Sequence, residues 1–431
     1  MPWGLVKEKK MEYLVKGTFI DTPTSSDIRC RTGYMLIGDG VIKEFSEIKK
    51  DEWNSLKIHD HSDRLIIPGF SDLHLHAPQY SYCGIAMDVQ LIEWLSKYTY
   101  PEEAKYEDVD FARDNYRIFV NDLKDTATTR SCIFASLHTD ATLELMKLME
   151  ESGMASYVGK LSMNRNCPDY YSEKTTENGI NETRRWIEES EKLGFKFNRP
   201  MITPRFTPSV TDDYMEALGN LSKEKGVPMQ SHLSENTDEI NWVSELCPDT
   251  EYYAQTYSRY GLFGGDCPTV MAHCIYSGKE ENELMKENGV YIAHCPTSNE
   301  NVIAGIAPAA YYLRNGYNIG LGSDVAGGHT LNMFAVMGAA IQCSKLRWKY
   351  VDDTQKPITL SEAFYMATAG GGAFFGKVGK FEEGYEFDAA VIDDSKLLNN
   401  RKFTYQERLE RYTYLGDGKA EAKYVSGRKI K

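Results

Sequence analysis

"PGFSDLHLHAPQY", Pro68 to Tyr80, ends an apolar run with two histidines two residues apart. Side chains alternate along a strand, so His74 and His76 point to the same face and can reach one metal ion together. The run reads as a β-strand beginning at Leu65, and seven comparable runs follow it: "TATTRSCIFASLH", "ASYVGKLSMN", "PMITPRFTP", "VPMQSHLSE", "TVMAHC", "VYIAHC" and "YNIGLGSD". Most are separated by charged stretches long enough for a helix, the signature of repeated βα units. Eight parallel units predict an α/β fold, a closed (β/α)8 TIM barrel whose functional groups gather at the C-terminal strand ends.

Outside this region the rhythm is that of strands. "EYLVKGTFIDT" and "YMLIGDGVIKEFSE" precede it, the second with a Gly38-Asp39-Gly40 turn suited to a hairpin. "FDAAVIDD" and "AKYVSGRKI" follow it, with a second Gly-Asp-Gly at 416–418. Neither end can easily bury an apolar face alone, so both are expected in one small β-sandwich domain. The expected division is 1–66 and 376–431 for that domain and 67–375 for the barrel.

The bulk composition excludes several function classes. Of 431 residues, 42% are hydrophobic and 26% charged, which is ordinary globular usage. A net charge of −14 without a long basic block argues against extended nucleic-acid binding. No apolar run approaches membrane-spanning length, and "MPWGLVKEKKMEYLV" lacks a signal-peptide core, so a soluble cytoplasmic protein is expected. Nine cysteines without a C-x-x-C pair argue against a disulfide framework, and reduced, buried thiols are expected.

The histidines fall where a barrel concentrates its chemistry. His74 and His76 end the first strand, His138 the second, His232 the fifth, His273 the sixth and His294 the seventh, and Asp324 ends the eighth. His74, His76, His232, His273 and Asp324 form a nitrogen-rich, oxygen-capped set suited to zinc or iron. His294 then reads as a residue that orients a ligand or loop, His138 as structural and His329 as a loop residue near the mouth. His59 and His61 read as solvated positions before the barrel. In "SHLSEN", Glu235 follows His232 by three residues, where a carboxylate can take a proton from water and hand it to substrate; helix starts also favour acids. The fourth strand has no lysine to bridge two metals, which favours one metal, while Lys160 on the third strand is the one residue that would bring in a second.

"HLHAPQY", "EWLSKYTYP", "TPRFTPS", "SHLSEN", "MAHC", "AHCPTSN" and "GLGSDVAGG" together resemble the amidohydrolase superfamily, and within it the guanine deaminases, over most of the chain. The resemblance implies one Zn2+ per chain, Fe2+ being the alternative, held by His74, His76, His232, His273 and Asp324, with Glu235 as the proton shuttle and a homodimer as the assembly. It implies that Gln79, Arg205, Phe206 and His232 bind the purine: an amide and a guanidinium can bond the acceptors of an oxopurine edge and a ring can pack on its face. Three positions depart from the pattern: Cys274 where a glycine is expected after His273, "TATTR" in place of a glycine-led strand, and "AGGH" in place of an aromatic.

The reaction so implied is hydrolysis of guanine to xanthine and ammonia. Asp324 and Glu235 accept the proton of the attacking water, His273 steadies the resulting hydroxide, and Glu235 protonates first a ring nitrogen and then the departing amine. The competing readings are an aminohydrolase for another purine, pterin or triazine ring, and a barrel scaffold that has lost catalysis. Every expected ligand position is filled, which disfavours the scaffold. The H-x-E and P-C-x-x-C motifs of the small zinc deaminases are absent.

Overall fold

The computed structural model describes residues 12–431. The first eleven residues, and with them most of the segment read above for a leader, lie outside the described residues. The chain opens with β1 (Glu12–Thr24), β2 (Asp27–Gly38), β3 (Val41–Ser46) and β4 (Lys57–Pro68). There follow β5 (Phe70–His76), β6 (Thr128–Phe134), β7 (Ala155–Gly159), β8 (Leu161–Ser162), β9 (Asn198–Pro200), β10 (Thr203–Pro204), β11 (Met229–Leu233), β12 (Thr269–His273), β13 (Tyr291–His294) and β14 (Asn318–Leu321). β15 (Ala389–Ile392), β16 (Ala422–Val425) and β17 (Arg428–Lys429) complete the set.

Eight of these strands form one parallel sheet in the order β11-β12-β13-β14-β5-β6-β7-β9, one strand from each predicted βα unit. Its edge strands, β9 and β11, come from consecutive units, and an isolated parallel bridge between Ile202 and Met229 lies between them. Every residue of β5 and β6 is buried, as expected of parallel strands covered on both faces. The strands feed two cores. Phe70 and Leu75 of β5, Met271 of β12 and Ile292 of β13 pack with helical side chains such as Tyr116 and Leu145. Leu73, Cys132, Ala155, Val270, Ala272 and Ala293, from strands across the whole sheet, share a second cluster.

The predicted third and fourth strands are broken. The third divides into β7 and β8. Of the fourth only the short β9 and β10 remain, each ending in a proline that cannot donate to a ladder. The predicted first strand also divides, at Gly69. A Cβ there would lie 2.2 Å from the Thr129 side chain, so only glycine lets the chain pass from one sheet into the other.

Both chain ends build a second, seven-stranded sheet, β17-β16-β15-β4-β1-β2-β3. The sequence reading expects two stacked sheets; the structure has one continuous hydrogen-bonded sheet. Val15, Ile37, Ile66, Phe387, Val391 and Tyr424 nevertheless share a core that neither chain end could close alone. The hairpin at Asp39-Gly40 is as expected, with both residues at positive φ (53° and 80°). His59 and His61 are not solvated: they lie on β4, half-buried, each 2.9 Å from the Tyr424 hydroxyl. The cysteines are unpaired, but Cys30 is exposed and Cys83 and Cys167 are only half-buried. No helix among the described residues is long and apolar enough to cross a membrane.

Candidate functional site: an imidazole and carboxylate cluster beneath a cavity

Because the large sheet is parallel, all its strands end on one side, and the predicted residues meet there. His74 and His76 bring their Nε2 atoms to 3.2 Å. Asp324 Oδ1 lies 3.1 Å from the first and 3.3 Å from the second. The ring centroids of His232 stand 4.8 Å from His74 and 5.5 Å from His273. Asp324 Oδ2 is 3.7 Å from His273 Nε2, and Glu235 Oε2 is 3.6 Å from the same nitrogen. Register is held by short backbone bonds between strand ends: Asp324 N–H donates to His74 O at 2.8 Å and His76 N–H to Val325 O at 2.8 Å.

Two imidazoles have their tautomers set by what lies behind them. His232 Nδ1 is 2.6 Å from the Arg205 carbonyl, and His273 Nδ1 is 2.8 Å from Asn299 Oδ1. Both partners accept, so Nδ1 carries the proton and each Nε2 lone pair points into the cluster. Buried groups that place two imidazole nitrogens and a carboxylate within about 3 Å with no protein atom to separate them fit a metal ion. His74, His232 and His273 form one candidate ligand group; His74, His76 and Asp324 form another; and Cys295, which the sequence reading missed, joins His273 and Asp324 in a third.

The electrostatics separate the carboxylates. Burial, and then the neighbouring Asp324 charge, push the Glu235 carboxyl well above its ordinary range. Burial also opposes ionisation of Asp324, but His74, His76 and His273 outweigh it and hold that group well below. Burial lowers His74 to about 4 and holds His232 well below its ordinary value, so both rings are neutral, as ligation requires. Ser234, His273, Cys274 and Asp324 all adopt positive φ, between 46° and 73°. Such strain concentrates at functional sites, and it explains why glycine would be expected at Cys274.

Above the cluster lies a cavity lined by Gln79, Arg205, Phe206, His232, Glu235 and Asp324 among others. Phe206 is buried and meets Trp242 edge-on at 6.0 Å. Gln79 and Arg205 do not stand alone: both donate to Glu103, Gln79 Nε2 to Oε1 at 2.7 Å and Arg205 Nη1 to Oε2 at 2.7 Å. Sequence reasoning missed Glu103, two residues beyond the "EWLSKYTYP" stretch, because nothing local distinguishes it from an ordinary acid in a helical first turn. It also missed Asn299 of "CPTSN" and Glu239, which accepts from the Glu235 N–H at 3.1 Å and which burial lifts to about 7.

The remaining histidines are elsewhere. His138 precedes the helix Thr139–Ser152, half-buried beside Tyr171. His294 is buried but belongs to none of the candidate ligand groups, and His329 is exposed, 3.2 Å from Asn301. Lys160 is buried against Glu173, which also accepts from Tyr214, so its amine is already committed.

Residues 65–423 match the amidohydrolase family. The chain belongs to the amidohydrolase family. Amidohydrolases are typically metal-dependent, in keeping with the cluster described above. Among similar amidohydrolases, the guanine deaminase of Dictyostelium discoideum is 35% identical, covering 99% of this chain and 100% of that protein. The guanine deaminase of Homo sapiens is 33% identical, covering 97% of each. A crystal structure of guanine deaminase from C. acetobutylicum with guanine bound in its active site superimposes with a TM-score of 0.94 at 45% identity, covering 97% of this chain and 100% of that one.

Proposed function

We propose that this amidohydrolase is a guanine deaminase, converting guanine and water to xanthine and ammonia. The observation that carries the reading is the placement of Gln79 and Arg205 as a donor edge over the histidine and carboxylate cluster, in a chain that is 45% identical to a guanine-bound guanine deaminase.

His74, His76, His232, His273 and Asp324 would hold one zinc ion, or iron in its place. Such an ion, when bound, brings the ionisation of water toward neutral pH. The chain's own groups do the rest. Arg205 and Gln79 donate to the oxopurine edge, Phe206 packs on the ring face, and His232 flanks the base. Asp324 and Glu235 take the proton of the attacking water, its oxygen bonds to C2, and Glu235 protonates a ring nitrogen. The remaining hydroxyl proton of the adduct then passes through Asp324 and Glu235 to the exocyclic amine, the C2 carbonyl forms as the C2–N bond breaks, and ammonia leaves. His273 steadies the attacking oxygen. A Glu235 carboxyl raised well above its ordinary range by burial holds a proton more readily than an exposed carboxylate, as delivery to a ring nitrogen requires.

The same reading includes a closed (β/α)8 barrel over 67–375 and a β domain from 1–66 and 376–431. The Ile202–Met229 bridge and the core shared by strands from across the sheet support closure. The homodimer in this reading rests on the family resemblance.

The test is ammonia release from guanine, adenine, cytosine and melamine by the zinc-loaded protein, with the product identified by its absorbance. Release from guanine with formation of xanthine is expected. Turnover of another ring but not guanine would overturn the substrate assignment and favour a different aminohydrolase.

A further inference from the structure

The Glu103 carboxylate, on the short helix Tyr100–Ala104, is buried at 1% exposure. A carboxylate only accepts, so the Gln79 amide has to turn its NH2 toward Glu103. The opposite end of that amide is also occupied: Gln79 Oε1 accepts from the Ala326 N–H at 3.2 Å. Both ends are therefore assigned and the amide cannot flip. Arg205 is docked through two nitrogens, Nη1 to Oε2 at 2.7 Å and Nη2 to Oε1 at 3.3 Å, with the Tyr100 ring 5.1 Å from its guanidinium carbon. The remaining N–H groups of the fork are left to point elsewhere. With both partners anchored, the N–H groups left over on the Gln79 amide and the Arg205 fork offer a ligand hydrogen-bond donation.

We infer that Glu103 is a positioning residue that sets the polarity of the recognition edge, making it a donor edge selective for a ring oxo group over a ring amine. The inference rests on the deamination reading for its substrate, but it concerns selectivity, not the chemical step. Without the carboxylate, the Gln79 amide can turn its oxygen toward the ligand and accept from an amine, and Arg205 loses the partner that aims it. A site built to bond one polar group rejects its isostere because the wrong group leaves buried donors unpaired.

The matched substrates are guanine and 2,6-diaminopurine, which carry the same C2 amine and differ at C6, oxo against amine. In Glu103→Gln, kcat/KM for guanine should fall about 10-fold or more, chiefly through KM, while 2,6-diaminopurine changes little, so that the ratio collapses. Glu103→Asp keeps the charge but is one methylene short of reaching both partners, and should give an intermediate ratio; it decides the matter if Glu103→Gln does not fold. Equal losses on both substrates, or an unchanged ratio, would reduce Glu103 to a packing residue and overturn the inference. A binding readout separates this from the reaction. Hypoxanthine and adenine carry the same oxo and amine difference without the C2 amine, and calorimetric titration of the metal-loaded protein reads their affinities directly. If wild-type protein releases no ammonia from guanine, the deamination reading falls. Loss of hypoxanthine over adenine preference in Glu103→Gln then still upholds the role of Glu103, and an unchanged preference overturns it.

Discussion

Replacing Glu235 by Gln removes a proton carrier and almost nothing else. The two side chains are isosteric, and the helix Thr237–Leu246 that follows is capped by Asn236 and Glu239, not by Glu235. The carboxyl is 4% exposed and 3.6 Å from His273 Nε2, so the amide fits the same space. General acid–base catalysis by one positioned group is worth about 10²–10⁴ in rate, or roughly 2.7–5.4 kcal/mol at about 1.36 kcal/mol per decade. Glu235 is assigned proton transfers on both sides of the intermediate, so the loss in kcat should fall in the upper half of that range. The assay is ammonia release at saturating guanine, with zinc content measured on the same sample by atomic emission. Metal content near wild type with kcat down by about a thousandfold is expected. A kcat within tenfold of wild type at full metal content would remove Glu235 from the proton path, and a parallel loss of metal would make it a ligand instead.

Two further outcomes follow from groups remote from the cluster. Arg130 of β6 is fully buried and bonds Asp388 Oδ2 at 2.7 Å and Glu386 Oε2 at 2.7 Å, tying the two sheets together; Arg130→Ala strands two acids and should cost about 3–5 kcal/mol in urea denaturation. An Arg130→Ala protein within about 1 kcal/mol of wild type would show that the pair is solvated after all. Burial lowers His59 and His61 below their ordinary value. The unfolded chain then takes up protons near pH 6.5 that the folded chain refuses, so their contribution is complete above about pH 6.5 and is lost as pH falls below it. The melting temperature of wild type should therefore drop more between pH 7.5 and 5.5 than that of His59→Gln/His61→Gln; equal drops would contradict the assignment.

Much of the site was legible in the one-dimensional pattern because strand periodicity and strand ends are local properties. H-x-H at His74 and His76 implies one face, and the βα rhythm implies that His232, His273 and Asp324 end on the same side as that pair. The positions where the reading erred are those governed by distant neighbours. Gly69 divides a continuous apolar run because Thr129, sixty residues away, occupies the space of its Cβ. His59 and His61 look solvated until Tyr424, from the other chain end, arrives between them.

The sequence by itself determined the order of strands and helices, the types of side chain at the strand ends and hence the class of metal and acid–base chemistry, since each depends on residues close together in the chain. Only the tertiary structure decided which hydrogen each imidazole keeps, which carboxylate stays charged and which acid orients Gln79 and Arg205. Those properties come from burial and from partners such as Asn299, the Arg205 carbonyl and Glu103, which only the packed fold brings within about 3 Å.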